Sequence, residues 1–234
     1  MTMMNDLRDS VRWAYIYDLI RLDMGFNYLD DYYASQVLNT LIKEFVDTYV
    51  TEMRVRKLIE GSDAYVVGAG PKCFEELKSL ERPPEVLIAA DGAMRCCLDA
   101  GYKPDIVVSD LDGLVVDDLR YEDIIYVVHA HGNNVDKLLR YVGLIRGDLL
   151  GTNQCIQYGK LRVYGGFTDG DRAVFLANYF KARTIRLVGF DLRSGVVGKY
   201  SKPWMGMESY ATPLKMRKFR WAERLLKMLG LNVS

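Results

Sequence analysis

Four short motifs hold the residue types most able to do chemistry. They are Ala90-Asp91-Gly92, Ser109-Asp-Leu-Asp-Gly113, His129-Ala-His-Gly132 and Gly165-Gly-Phe-Thr-Asp-Gly-Asp-Arg172. Each follows a short apolar run, so each reads as the loop after a buried strand. In an open parallel α/β sheet, the loops at the carboxyl ends of the strands converge on one crevice. Carboxylates gathered there repel one another unless a cation neutralises them. The expected chemistry is a Mg²⁺ site that handles phosphates, with Asp91, Asp110 and Asp112 as metal ligands and catalytic groups.

The spacing supports this. Asp110 and Asp112 are two residues apart, which in an extended segment puts both on one side, roughly 6–7 Å apart. Mg²⁺ takes one or two carboxylates, keeps waters and binds substrate phosphates. The competing reading is a solvated, aspartate-rich turn. Asp91 also has one, as the acid that bonds a ribose hydroxyl in a dinucleotide-binding fold.

The other motifs supply groups that hold a ligand. Gly68 and Gly70, in Gly68-Ala-Gly-Pro71, let backbone N–H groups approach a phosphate ahead of a helix, although a tight turn needs the same residues. Cys73 stands where the third glycine of a dinucleotide fingerprint belongs. His129 and His131, the only histidines in the chain, can contact a phosphate or orient a carboxylate. Thr168 or Asp169 can cap a helix, and Arg172 can fork onto a phosphate. Asp169 can instead accept hydrogen bonds from an amino-heterocycle, and Asp171 adds an acid nearby. Lys199 and Lys202 sit in a Gly- and Pro-rich stretch, 194–213, that reads as a loop able to close over polyphosphate. There is no Walker A frame.

Strands must place these motifs. Ala64–Val67, Val86–Ala89, Ile106–Val108, Ile124–Val128, Leu161–Tyr164 and Ile185–Val188 are short runs rich in β-branched residues, as in strands buried on both faces. Helical stretches alternate with them at 71–80, 93–100, 134–142 and 169–181, and a last helix covers 214–229. The pattern predicts a Rossmann-like, doubly wound α/β fold with a mostly parallel sheet over residues 61–234. Residues 1–60 lack proline and carry apolar residues at helical spacing. They predict a small helical N-terminal domain, one helix at 6–23 and a longer one after Gly25-Phe26-Asn27, compatible with a homodimer.

Composition narrows the classes. Lys plus Arg and Asp plus Glu both total 31, so no net charge draws the chain to nucleic acid or an anionic membrane. No apolar run reaches the roughly 18 residues of a membrane span. Cys73, Cys96, Cys97 and Cys155 show neither metal spacing nor a dense disulfide pattern, which predicts buried thiols and a cytoplasmic protein.

Taken in order, Gly-Ala-Gly-Pro, Ala-Asp-Gly-Ala, Pro-Asp-Ile-Val-Val-Ser-Asp-Leu-Asp-Gly, His-Ala-His-Gly and Gly-Gly-Phe-Thr-Asp-Gly-Asp-Arg resemble the archaeal 6-hydroxymethyl-7,8-dihydropterin pyrophosphokinases. That family has a catalytic domain similar to thiamine pyrophosphokinase. The resemblance implies transfer of diphosphate from ATP to the hydroxymethyl group of a reduced pterin, with release of AMP. It places Asp91, Asp110 and Asp112 at the positions of the Mg²⁺-binding acids, and Asp169 to Arg172 where acceptor or phosphates are met. Asn133 stands where the family usually carries an acid, and Gly151-Thr-Asn-Gln154 replaces a Gly-Thr-Thr-Gln segment. Two other functions fit the residues: the same transfer to another acceptor such as thiamine, and nucleotide binding without catalysis.

Overall fold

The computed structural model describes residues 7–231. The chain begins with helices α1 (Leu7–Met24), α2 (Tyr28–Ile42) and α3 (Thr48–Ile59). It then alternates β1 (Asp63–Val67), α4 (Cys73–Lys78), β2 (Val86–Ala90), α5 (Ala93–Asp99), β3 (Ile106–Ser109), β4 (Ile125–Ala130), α6 (Val135–Tyr141) and β5 (Asp148–Asn153). Helix α7 (Asp169–Tyr179) leads to β6 (Thr184–Val188), a small hairpin β7 (Val196–Val197) and β8 (Ser209–Tyr210), and α8 (Pro213–Met228). The six long strands form one sheet in the order β5-β4-β3-β2-β1-β6, every pair parallel. All six carboxyl ends therefore lie on one edge.

Alternation along the strands explains the layers. In β1, Ala64 and Val66 face one core with Val55 and Ile59 of α3, Val174 and Ala177 of α7, and Leu226 of α8. Tyr65 and Val67 face the other, with Leu38 and Ile42 of α2, Leu77 of α4, Met94 of α5 and Leu138 of α6. Apolar runs without a polar face suit such doubly covered strands. The result is the expected Rossmann-like α/β fold. A third cluster joins Trp13, Tyr17 and Ile20 of α1 to Phe175 and Leu225, so α1 packs on α7 and α8.

The N-terminal segment differs from the reading of two helices. The longer one is broken, and Asp47 caps α3 by accepting the Val50 N–H at 3.1 Å. The break has a topological cause. Helix α2 covers one face and α3 the other, so the chain must turn around the β5 edge between them. Phe45, Tyr49, Val50 and Met53, which extend the apolar repeat through the break, are exposed.

The fifth strand also differs. It is Asp148–Asn153, whereas 161–164 contributes a single bridge from Arg162 to Thr152. Gly151 and Asn153 weaken the strand signal of β5. Gly151 leaves room there: an added Cβ would stand 2.6 Å from the Leu161 side chain and 2.7 Å from that of Ile42, and both would have to shift.

The cysteines depart from expectation too. Cys73 and Cys96 form a disulfide joining α4 to α5, and Cys97 and Cys155 are the free thiols. Equivalent helices packed side by side bring the pair together, a proximity that spacing in sequence does not reveal. No helix among the described residues is long and apolar enough to cross a membrane.

Candidate active site

The acid centre is built at the ends of β2 and β3. Asp91 follows β2 with φ of 50°, a left-handed conformation that aspartate tolerates. Its Oδ1 accepts the Ser109 hydroxyl at 2.7 Å and the Gly113 N–H at 3.0 Å. A Cβ on Gly113 would fall inside the Asp91 carboxylate, so any larger residue would displace that carboxylate. Asp110 and Asp112 are not on an extended segment. Buried Leu111 has φ of 70°, and Asp110 Oδ1 accepts the Asp112 N–H at 3.1 Å. This turn brings the acids closer than strand spacing predicts: one oxygen each from Asp91, Asp110 and Asp112 lies within 4.8 Å of the others.

The charges respond accordingly. Burial raises the Asp112 carboxyl, and Asp110 and Asp91 add repulsion, pushing it up to about 7. Burial also opposes ionisation of Asp110. His131 Nε2 at 3.1 Å, a side-chain hydrogen bond from the Asp112 carboxyl and the Lys202 ammonium outweigh it and hold that carboxyl well below the usual range. The Lys202 ammonium reaches Asp91 Oδ2 at 3.3 Å and also contacts Asp112. It plays the part of a cation among three carboxylates, and that all-oxygen donor set suits Mg²⁺.

Two cavities meet at this centre. The first, about 120 Å³, lies between the Gly68–Gly70 loop, the turn after β6 and the strap 194–213, with Phe190, Val196 and Phe219 as apolar walls. The second, about 410 Å³, lies beneath the α1–α2 turn and is lined by Asp110, Asp112, His131, Arg172, Lys202 and Lys218. Asp91 borders the first, Asp110 and Asp112 the second, and Thr168, Asp169, Lys202 and Lys215 border both. Burial raises the Asp169 carboxyl, reinforced by Asp110 and Asp91. Burial lowers the Lys215 ammonium, reinforced by Lys202 and Lys218.

The remaining expected residues fall in different places. Gly68 and Gly70 line the first cavity, but their N–H groups donate to Val188 O at 2.8 Å and Gly189 O at 2.9 Å. A Cβ on Gly70 would meet the Gly189 carbonyl, so this loop's glycines permit the close approach of β1 and β6. His131 and the exposed Asn133 border the second cavity. His129 is buried behind the centre and borders neither. Asp171 is also buried; its carboxylate accepts the Phe167 N–H at 2.6 Å and the Thr168 N–H at 2.8 Å, capping α7. Lys199 is exposed and borders a separate hollow beside Asp99 and Tyr200.

Three contributors lie outside the four motifs. Asn134 donates to the Asp110 carbonyl at 2.9 Å and the His129 carbonyl at 2.7 Å, while its Oδ1 accepts the His131 N–H at 3.0 Å. It ties the loops after β3 and β4 together. Buried Asp31 accepts from the Tyr17 hydroxyl, the Gln154 amide and the Gly132 N–H, each at 2.7 Å. Gln154 Oε1 in turn accepts from Arg172 Nη2 at 2.9 Å. With the Arg172 Nη1–Asp169 contact at 3.2 Å, this network aims the guanidinium into the second cavity. Asp31 follows no strand, and its acceptor role depends on α2 lying against β4 and β5.

A Rossmann-like sheet whose strand ends present a carboxylate trio between two cavities defines an α/β protein with a set of acids that could hold a cation at its strand ends. The chain belongs to the 6-hydroxymethylpterin diphosphokinase MptE-like family, whose model matches residues 36–195. It is similar to proteins named 6-hydroxymethyl-7,8-dihydropterin pyrophosphokinase from three archaea. Identity is 41% over 221 residues with that of Pyrococcus furiosus and 39% over 225 residues with that of Methanothermobacter thermautotrophicus, covering 94% of each chain in both cases. With that of Methanocaldococcus jannaschii it is 33% over 235 residues, covering 94% of this chain and 95% of the relative.

Proposed function

We propose that this enzyme transfers diphosphate from ATP to the hydroxymethyl oxygen of 6-hydroxymethyl-7,8-dihydropterin and releases AMP. The observation that carries this reading is the carboxylate trio at the divide between two cavities. In-line displacement needs the attacking and leaving oxygens on opposite sides of one phosphorus, and two cavities that meet at the acids let two substrates approach that way. The pterin acceptor comes from the names of the relatives.

Asp91, Asp110 and Asp112 hold the metal, and Mg²⁺ bound there neutralises phosphate oxygens and orients them. Ser109 and the Gly113 N–H fix Asp91, while His131 and the turn at Leu111 fix Asp110. Arg172, Lys202, Lys215 and Lys218 bring positive charge to the polyphosphate from the second cavity. The acceptor oxygen forms a bond to the β-phosphorus as it loses its proton. The bond from the β-phosphorus to the oxygen bridging it to the α-phosphate breaks, and its electron pair leaves with AMP.

Asp110→Asn tests the reading. AMP release from ATP plus the pterin should fall at least about 100-fold, more than the loss of an outer partner costs, with the circular dichroism unchanged. Full activity would refute the assigned role. Offering thiamine in place of the pterin tests the acceptor: AMP release with thiamine alone would overturn it.

A further inference from the structure

Behind the acid centre lies a small cavity bordered by His129, Asn153 and Arg172. All three are buried, with relative exposures of 2%, 2% and 7%. Each carries one polar atom without a protein partner: His129 Nε2, Asn153 Oδ1 and Arg172 Nε. Buried polar atoms left unmatched are costly and uncommon, and here the three residues that carry them border one space.

The hydrogen bonds around the cavity assign each atom a role. The Thr152 hydroxyl has one hydrogen, which it donates to the Val128 carbonyl at 3.1 Å. Thr152 Oγ1 therefore accepts from His129 Nδ1 at 3.0 Å, so the ring proton is on Nδ1 and Nε2 is a bare acceptor. Asn153 Nδ2 donates to the Ile156 carbonyl at 2.8 Å, which turns Oδ1 away as an acceptor. Arg172 Nη1 and Nη2 engage Asp169 and Gln154, and Nε–H remains a donor because the guanidinium stays protonated. The set is two acceptors and one donor.

We propose that this cavity is a binding site for a single structural water, which donates to His129 Nε2 and Asn153 Oδ1 and accepts from Arg172 Nε–H. The volume fits: the cavity measures about 10 Å³, room for one water, and a buried water typically makes about three hydrogen bonds. Burial also keeps the His129 ring neutral, with Arg172 and His131 acting in the same direction against Asp110 and Gln154. The water completes the support of Arg172, whose other two nitrogens are already held, and gives His129 a positioning part beneath the site. None of this depends on the diphosphate-transfer reading, because the tests need no substrate.

High-resolution diffraction from the full chain should show one ordered oxygen within hydrogen-bonding distance of all three atoms. Long-range proton–nitrogen NMR on the same protein should show His129 protonated on Nδ1, with Nε2 shifted into the unprotonated range. A water cross-peak to the Arg172 Nε proton should accompany it. A dry cavity would overturn the proposal. So would direct contact between His129 Nε2 and Arg172 Nε, or an Nε2-protonated ring donating to Gln154.

Discussion

The two edges of the sheet carry the same kinds of residue and use them in opposite ways. At the amino edge, Asp63 opens β1, Glu85 precedes β2, Asp105 precedes β3 and Asp148 opens β5. Each has a local partner, with Arg183 shared by Asp63 and Glu85. Arg183 reaches Asp63 at 2.9 Å and Glu85 at 3.1 Å, Asp105 accepts the Leu87 N–H at 2.8 Å, and Arg54 contacts Asp148. At the carboxyl edge, Asp91, Asp110, Asp112 and Asp169 face one another around a shared space, and one lysine stands among them. Acids that are paired locally shape the surface. Acids held together against their own repulsion, by turns and hydrogen bonds, are the donor set that the proposed function assigns to a cation. Clustering distinguishes a site from a decorated rim; acid content does not.

The largest expected effect comes from disturbing that clustering without changing its charge. Gly113→Val puts a side chain where the Asp91 carboxylate lies. Misplacement of catalytic groups by about 1 Å can cost 10²-fold in rate, so AMP release should fall about 100-fold with little change in circular dichroism. Wild-type turnover would show that the preset arrangement is unnecessary, and the contrast between the edges would lose its functional meaning.

Asp31→Asn tests whether the support behind the carboxyl edge matters. The substitution leaves the Tyr17 hydroxyl, the Gln154 amide and the Gly132 N–H competing for one acceptor oxygen. Leaving a buried donor unmet costs about 1–3 kcal/mol, which chemical denaturation would register as a lower midpoint with an unchanged slope. A midpoint equal to wild type would mean that water or a local shift replaces the network.

The two cavities differ as the edges do, one walled by apolar groups and backbone, the other by charges. Phe219→Ala affects only the first and Lys218→Ala only the second. If each cavity takes one substrate, each change should raise KM about tenfold for a different substrate, close to the loss of a charge-assisted hydrogen bond or an aromatic contact. Both changes acting on the same substrate would merge the two cavities into one binding site.

How much of this was legible in sequence follows from what is local. The acids of Ala90-Asp91-Gly92 and Ser109–Gly113 stood out because buried parallel strands read as apolar runs, so the next polar residue marks the functional edge. The amino-edge acids have the same composition and precede the runs, which is why Asp63 and Asp105 drew no functional reading. Strand β5 was hidden because Gly151 and Asn153 dilute its signal, and the apolar run at 161–164 took its place. Asp31, Asn134 and the disulfide between Cys73 and Cys96 depend on which elements become neighbours. Gly70 was visible as a special residue, but its reason, the nearby Gly189 backbone, is a tertiary contact. The position of Lys202 among the acids is tertiary too: the sequence showed a basic residue in a loop, and folding lays that loop over the strand ends.

The smallest effect belongs to the amino edge, where Arg183→Ala tests whether those acids act singly. The Arg183 guanidinium, helped by the Thr184 hydroxyl, holds the Asp63 carboxyl at about 2. A carboxyl whose folded value lies below its unfolded one contributes stability above the unfolded value, and the contribution disappears as pH falls through the folded value. The wild type should therefore exceed R183A in stability near neutral pH, with the gap closing between about pH 4 and pH 2. In R183A the Asp63 titration, followed by NMR, should move up towards the ordinary aspartate range. Because the pair is exposed, added salt should shrink the gap. Clustered acids would behave otherwise: removing one partner at the carboxyl edge would shift several carboxyls together, because each raises or lowers its neighbours. A shift spreading from Asp63 to Asp105 in R183A would show that the amino edge is also a coupled cluster, and would remove the distinction between the two edges.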